Sequence, residues 1–554
     1  MWAHTVQSPS MEDSRMATNE EPQPVEPSAY VTRQNQDAVK NLPDAGLAYE
    51  NAGRYQIAPP DEPFVPSRIS KSDSKVWDFT AFDFLEQSLD EVPGSVAPAL
   101  WRQGQLNSTA GLFQVTDRGN CRVHQIRGYD LANMTVVESG SGLVVIDPLG
   151  SYETARAALA RYRSVIEQDG PAQPVRAVIH TQSGVDHFGG VRGLFGDALP
   201  KDLKVYAPEG FLADALLRQV TEGSHTARLV DYAYGTRLGI APSQLVDSDL
   251  GHTVSVGDAT FLAPTDTVGG LLPAATAESK WPSWTGIGWR EGLYALEIGG
   301  VRIVLQPAGG HASPAEMNLY LPAARTVYLA GPGLLGGPSK ARATFLDATL
   351  TAFGAAADAG AGAYLAPVWR TPEDAGQEQG TANRITAWLT AHRDAATTAP
   401  DAGAAAPLLA TPGYADTPTR TVREVWSRLT GTDLGAPRLA VTAKASLLAQ
   451  GGSAKALEAA RGAYGAGNHA EVAALLDPVI CAAAIPLAVN SKNEQQARTL
   501  QADALRQLAH LTSHGRLRNA LLTAAQDVRD PKGVLTRFPR TIADLAAAAS
   551  PLGF

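Results

Sequence analysis

Residues 177–193 read AVIHTQSGVDHFGGVRG and hold the densest chemistry of the chain. A strand that runs into a His-x-His-x-Asp-His loop builds a dinuclear zinc site. The two early histidines hold one ion, the Asp and the last His hold the other, and a hydroxide bridges them. Here those six positions are Gln182, Ser183, Gly184, Val185, Asp186 and His187. Glycine has no donor atom, and a glutamine oxygen is a weak ligand for a borderline-soft cation. One metal half is therefore missing. What remains is Asp186 and His187, with His180 on the entering strand. A His–Asp pair is general acid–base chemistry, the carboxylate orienting the imidazole. The plainer alternative is structural: Asp186 caps a helix start, and Phe188-Gly189-Gly190 turns the backbone tightly.

Around this loop the sequence supplies the elements that would hold it. CRVHQIRGYDLANMTVVESGSGLVVIDPLG contains three strand-like runs, Val123–Ile126, Met134–Glu138 and Leu143–Ile146, the last two joined by a hairpin signal, SGSG. Asp147 closes the third run and reads as a carboxylate supporting the metal-type loop. YETARAALARYRSVIEQDG has helical spacing and ends at glycine, and VRAVIHT is a buried-strand pattern delivering the chain to the loop. Later strands are expected in LYALEIGGVRIVLQPAGGH, RTVYLAG and AGAYLAP. Layered α/β sequence thus spans 105–395. Ser183 lacks a Gly-x-Ser-x-Gly elbow, which disfavours a serine hydrolase there. In ESKWPSWTGIGWR, Trp281, Trp284 and Trp289 could clamp an apolar or aromatic ligand, or simply pack as a surface loop.

The flanks read differently. Residues 1–40 are polar, acidic and proline-bearing, as a disordered tail is, and 41–104 read as an extension packing on the core. Residues 396–419 are a low-complexity linker. From 420 to 540 the pattern is helical, and SAKALEAARGAYGAGNHAEVAALLDPVI pairs two short amphipathic helices about a Gly-Asn turn.

Bulk composition narrows the function. At 554 residues the chain holds several domains. Its net charge of −10, from 46 basic and 56 acidic side chains, makes nucleic acid and anionic membrane poor partners. Cys121 and Cys481 lie too far apart to expect a disulfide, and two cysteines make no metal cluster. With no long apolar span and no secretory signal at the start, the expected location is the cytoplasm.

Several stretches, in order, carry a family resemblance: WDFTAFDFL, LWRQGQLN, GLFQV, QIRGYDLANMTVVESGSGLVVIDPL, DHFGGVRG, SPAEMNLYLP, NEQQARTLQADALRQL and RNALLTAAQDVRD. Together they resemble the linear alkylsulfatases over roughly 42–530. The resemblance implies a metallo-β-lactamase αββα sandwich followed by an all-α dimerisation domain, hence a homodimer. It also implies a terminal sterol-carrier-like domain, which is expected to be absent here. Carried over by position, the family's zinc ligands fall on Gln182, Gly184, Asp186 and His187, on Ala312 and Gly331, and near Leu365. Only Asp186 and His187 can ligate. The segment that grips sulfate falls on GGPSKARATF, with Lys340 and Arg342 as its cations. If that geometry holds, His180, Asp186, His187 and His311 surround one cavity.

Two protein donors do not hold a catalytic zinc, which normally needs three, so no cofactor is expected. A mononuclear site of Asp186, His187 and His311 is the residual metal reading. The reading favoured from sequence is a repurposed, metal-independent enzyme. His180, Asp186, His187 and His311 would do its acid–base chemistry, with Gln182, Trp281, Trp284, Trp289 and Arg342 binding an apolar or aromatic small molecule. The alternatives are a non-catalytic dimeric scaffold and a sulfate-ester hydrolase with an atypical metal site.

Overall fold

The computed structural model describes residues 26–40, 55–68, 74–118, 121–221, 230–269, 281–308, 315–331, 340–364, 368–369, 384–395, 440–483 and 489–529, give or take isolated positions. Strand β1 (Gln56–Ala58) is followed by a small hairpin of β2 (Phe64–Pro66) and β3 (Lys75–Asp78). The first large sheet continues with β4 (Gly111–Arg118), β5 (Cys121–Arg127), β6 (Met134–Ser139), β7 (Gly142–Ile146), β8 (Val175–Ile179), β9 (Lys204–Pro208) and β10 (Asp266–Val268). Its order is β1-β4-β5-β6-β7-β8-β9-β10. The pairs from β4 to β7 are antiparallel, and those from β7 to β10 are parallel. The three strand runs read from sequence are β5, β6 and β7, and Ser139 pairs with Gly142 across the expected hairpin.

A second sheet holds β11 (Tyr294–Ile298), β12 (Val301–Pro307), β13 (Met317–Leu321), β14 (Thr326–Leu329), β15 (Ala359–Gly362) and β16 (Val368–Trp369), in that order. The strand expected in AGAYLAP sits slightly earlier and ends at Gly362, which leaves Tyr364 just past its C-terminal end. Period-two alternation assigns the faces. Val144, Ile146, Ala177 and Ile179 of the first sheet meet Ile303, Leu305, Leu319 and Tyr328 of the second in one buried cluster. The alternate residues Val136, Val145 and Val178 pack instead on Ala155, Ala158 and Leu159 of the helix Tyr152–Ile166. Ser151 caps that helix, its side chain accepting from Thr154 N. On the far side, Val304, Tyr320 and Val327 pack against Ile385, Trp388 and Leu389 of the helix Arg384–Ala395. The result is helix, sheet, sheet, helix.

The disordered tail expected for residues 1–40 is corrected over 29–39, which form a helix, Ala29–Val39. Two groups one turn apart explain it. Val31 is buried, and Asn35 donates to Gly94 O at 2.8 Å and His510 O at 2.9 Å, so a polar segment is held by satisfied backbone acceptors. Cys121 and Cys481 form no disulfide. Among the described residues no helix is long and apolar enough to cross a membrane.

The helical region comprises Ala440–Ala449, Ser453–Gly465, His469–Ala482, Ser491–Leu511 and Gly515–Arg529. The second and third form the helical pair read around the Gly-Asn turn. The last helix is fastened to the rest by one buried cation. Arg518 Nε donates to Gln244 O at 2.9 Å, Nη1 to Ser95 O at 2.8 Å and Ala509 O at 3.1 Å, and Nη2 to Pro242 O at 2.6 Å. Asp249 caps the same helix, accepting from Arg516 N at 3.1 Å and Gly515 N at 2.5 Å. Arg518→Leu keeps the bulk but strips donors from four carbonyls. Each buried acceptor left unsatisfied costs about 1–3 kcal/mol. The expected loss is therefore on the order of 3 kcal/mol or more, read as a lower denaturation midpoint. A midpoint within error of the parent would refute this role.

Candidate functional site

The site forms where parallel strands β7 and β8 end, the edge of an α/β sheet where ligands bind. Asp147 follows β7 and adopts a left-handed backbone, φ +52°, rare for a residue with a side chain. Its carboxylate is saturated. Oδ1 accepts from Thr181 N at 2.8 Å, and Oδ2 from Thr181 Oγ1 at 2.6 Å and the Tyr328 hydroxyl at 2.9 Å.

From β8 the chain passes through His180 and Thr181 into a single tight turn, Val185–His187. The glycines after it are required by space. A Cβ on Gly189 would lie 2.1 Å from Gly150 O, and one on Gly190 would lie 2.1 Å from Pro148 O. The tight turn read from Phe188-Gly189-Gly190 is thus present, but Asp186 does not cap it. Gly184 holds the cap position with no side-chain bond. The Asp186 carboxylate instead accepts a 2.5 Å hydrogen bond from the Tyr364 hydroxyl.

That hydroxyl also lies 2.7 Å from His187 Nε2, while His187 Nδ1 lies 3.0 Å from Asp147 Oδ2. The proton positions follow from the partners. Asp147 can only accept, so Nδ1 carries a proton. Tyr364 has one proton and gives it to Asp186, so Nε2 must donate to the tyrosine oxygen. These partners favour the protonated ring. Burial opposes its charge, yet the carboxylates of Asp147 and Asp186 outweigh that, with Glu316 adding to them, and its pKa is raised. Burial and the nearby Asp186 push the Tyr364 phenol well above its usual range, which keeps its proton in place.

The other residues singled out from sequence fall in several places. His180 is fully buried, its ring stacked on Phe211 at 5.3 Å with Nδ1 3.1 Å from His187 O. Burial pushes its pKa down to about 4, so it is a neutral core ring rather than an acid–base group. Gln182 Nε2 donates to Ala330 O at 2.8 Å, and its backbone bridges to Glu316. Trp281 donates to Ile287 O at 2.9 Å and packs on the outer helical layer; Arg302 stacks over Trp284 at 5.7 Å. Trp289 is half-buried in the same loop. The tryptophan clamp is thus corrected to a loop packed on the outer face of the second sheet. His311 and Ala312 lie outside the described residues, as do Leu365 and the side chain of Arg342.

Sequence reasoning missed Thr181, Tyr328, Glu316 and above all Tyr364. The signal for Tyr364 was present. It neighbours Leu365, near which the resemblance implied a ligand histidine. Among the described residues the donors do not fit a dinuclear zinc centre. Gly184 offers no side-chain atom, and the Gln182 amide is turned to a carbonyl.

Comparison with known proteins places this architecture. A family model described as alkyl sulfatase dimerisation matches residues 396–531, and one for the metallo-beta-lactamase superfamily matches 127–289. The chain is 30% identical to a linear primary-alkylsulfatase of Pseudomonas sp., over 91% of this chain and 73% of that protein. It is 29% identical to an (R)-specific secondary-alkylsulfatase of Pseudomonas sp., over 95% and 77% respectively. An alkyl/aryl-sulfatase of Saccharomyces cerevisiae is also 29% identical, over 82% of this chain and 69% of that protein. The solved structure of a stereoselective inverting sec-alkylsulfatase from Pseudomonas sp. superposes with a TM-score of 0.69 at 27% identity, covering 92% of this chain and 78% of that one. With the likeness running through both the layered sandwich and the helices behind it, this chain belongs to the alkylsulfatase family, a metallo-beta-lactamase α/β domain followed by a helical region.

Proposed function

We propose that this protein is a sulfatase-like enzyme that works without a dinuclear metal centre, moving protons with Asp186, Tyr364 and His187 on an apolar or aromatic small molecule. The observation that carries the reading is the Tyr364 hydroxyl. It bonds both residues left from the metal loop, His187 Nε2 and Asp186 Oδ2. The arrangement is a proton path. Asp186, with 15% of its side chain exposed, is the end that meets a ligand. Tyr364 passes a proton between it and His187, and Asp147 holds the ring and balances its charge. Gln182 bridges by its backbone to Glu316, just before β13. The helical region, matched by a dimerisation family, makes the protein a homodimer.

Purified without added metal, the protein is expected to hold well below one zinc per chain by elemental analysis. Two tightly held ions per chain would sink the reading and restore metal-dependent hydrolysis. Light scattering at micromolar concentration is expected to give twice the chain mass, and a monomer would remove the dimer.

Tyr364→Phe breaks the path while keeping the ring. It is expected to lower the rate on a substrate by about 10²–10⁴-fold, the range for loss of a proton-transfer group. A non-catalytic scaffold predicts instead a lower melting temperature and no activity in the parent. The His187 charge also sets a pH dependence. Its folded pKa is raised, so its contribution to stability is complete below the unfolded value of about 6.5 and is lost as pH rises through the folded value. The gap in melting temperature between the parent and His187→Gln should therefore be widest in acid and narrow as pH rises. A gap that widens with pH contradicts the imidazolium.

A further inference from the structure

Three residues outside that site stand in a row. Ser108 follows the helix Pro98–Asn107 and is exposed. Its Oγ lies 3.1 Å from His252 Nε2, and His252 Nδ1 lies 3.1 Å from Asp247 Oδ2. The ring is held flat on Phe82, with centroids 4.1 Å apart and planes within 9°. Asp247 is fully buried and fixed. Asn107 Nδ2 donates to its two oxygens at 3.2 and 3.0 Å, and Asp249 N donates to Oδ1 at 2.7 Å. An exposed hydroxyl, an imidazole and a buried orienting carboxylate in that order are what an activated serine needs.

A cavity of about 20 Å³ adjoins His252 of this row, lined also by Asn107, Thr109, Arg127, Asn133 and Tyr364 but not by Ser108 or Asp247. That volume suits one water molecule or a very small group. Arg127 is buried, and burial alone pushes its pKa down only to about 10, so it faces this cavity as a cation at neutral pH. The ordinary account of Ser108 is a helix C-terminal hydroxyl bonding the carbonyl one turn back, and Ser108 Oγ does lie 2.9 Å from Gly104 O. That contact explains the serine alone. It does not explain a stacked imidazole facing the same oxygen with a buried carboxylate on its other nitrogen.

We propose that Ser108, His252 and Asp247 form a second catalytic site, one that hydrolyses small carboxylic esters through an acyl-serine. Ser108 Oγ attacks the ester carbonyl carbon as its proton passes to His252 Nε2. The carbon–oxygen bond to the alcohol then breaks, and the alcohol leaves with that proton. Water, deprotonated by His252, attacks the acyl-serine, and collapse releases the acid and returns the proton to Ser108. Ester and water become acid and alcohol, with no other reactant. Asp247 Oδ2, 3.1 Å from Nδ1, supplies the negative charge that the imidazolium formed in each step needs.

The test treats the full chain with a fluorophosphonate probe and, separately, with 4-nitrophenyl acetate. The expected result is one label per chain on the peptide carrying Ser108 and a burst of 4-nitrophenolate near one equivalent. Ser108→Ala removes both, and His252→Ala slows the burst about 10²-fold or more. Ser108 is exposed, so Ser108→Ala keeps its melting temperature and reads the chemistry cleanly. Should His252→Ala unfold, Ser108→Cys decides: a thiol alkylated by iodoacetamide well below pH 8 supports the paired imidazole, and one that reacts as a free cysteine overturns it. No label, a label on another serine, or a burst unchanged in Ser108→Ala also overturns the proposal.

Discussion

The site and the sandwich depend on the carboxylate of Asp147. It sits at the end of β7, takes two hydrogen bonds from Thr181 at the end of β8 and a third from Tyr328 of the second sheet. One side chain thus ties two parallel strands to the opposite layer at the mouth of the sandwich. Its remaining interaction is with His187. A buried carboxylate with three donors and a cation is fully compensated, and removing any partner leaves charge in a low-dielectric interior. The positive φ of Asp147 is the local strain that this compensation sustains.

The same logic separates the two buried histidines. His180 and His187 are both fully buried, yet their pKa values move in opposite directions. His180 stacks on Phe211 and meets a backbone carbonyl, so desolvation wins and the ring is neutral. His187 lies between Asp147 and Asp186, so the carboxylates outweigh burial and its pKa is raised.

The helical region is fastened to the loop at 244–252. Arg518 and Asn519 bind its carbonyls, and Asp249 caps the helix Gly515–Arg529. The loop in turn carries Asp247 and His252 to Ser108. Packing of the last helix therefore sets the position of Asp247 and His252 beside Ser108.

The sequence by itself determined the layers. Runs of Val, Ile and Leu at β6, β7 and β8, the SGSG hairpin and the helical pair about Gly467-Asn468 are local signals, because burial on one face imposes a period along the chain. It also showed that Gln182 and Gly184 cannot serve as histidines do. What only the tertiary structure decided is which distant side chains meet. Tyr364 reaches Asp186 across 178 residues, and His252 reaches Ser108 across 144. It likewise turned Trp281 to the outer layer and gave residues 29–39 a helix against His510. No period in the chain encodes such pairs. They follow from strand register, sheet-on-sheet packing and the demand that each buried charge find its partner.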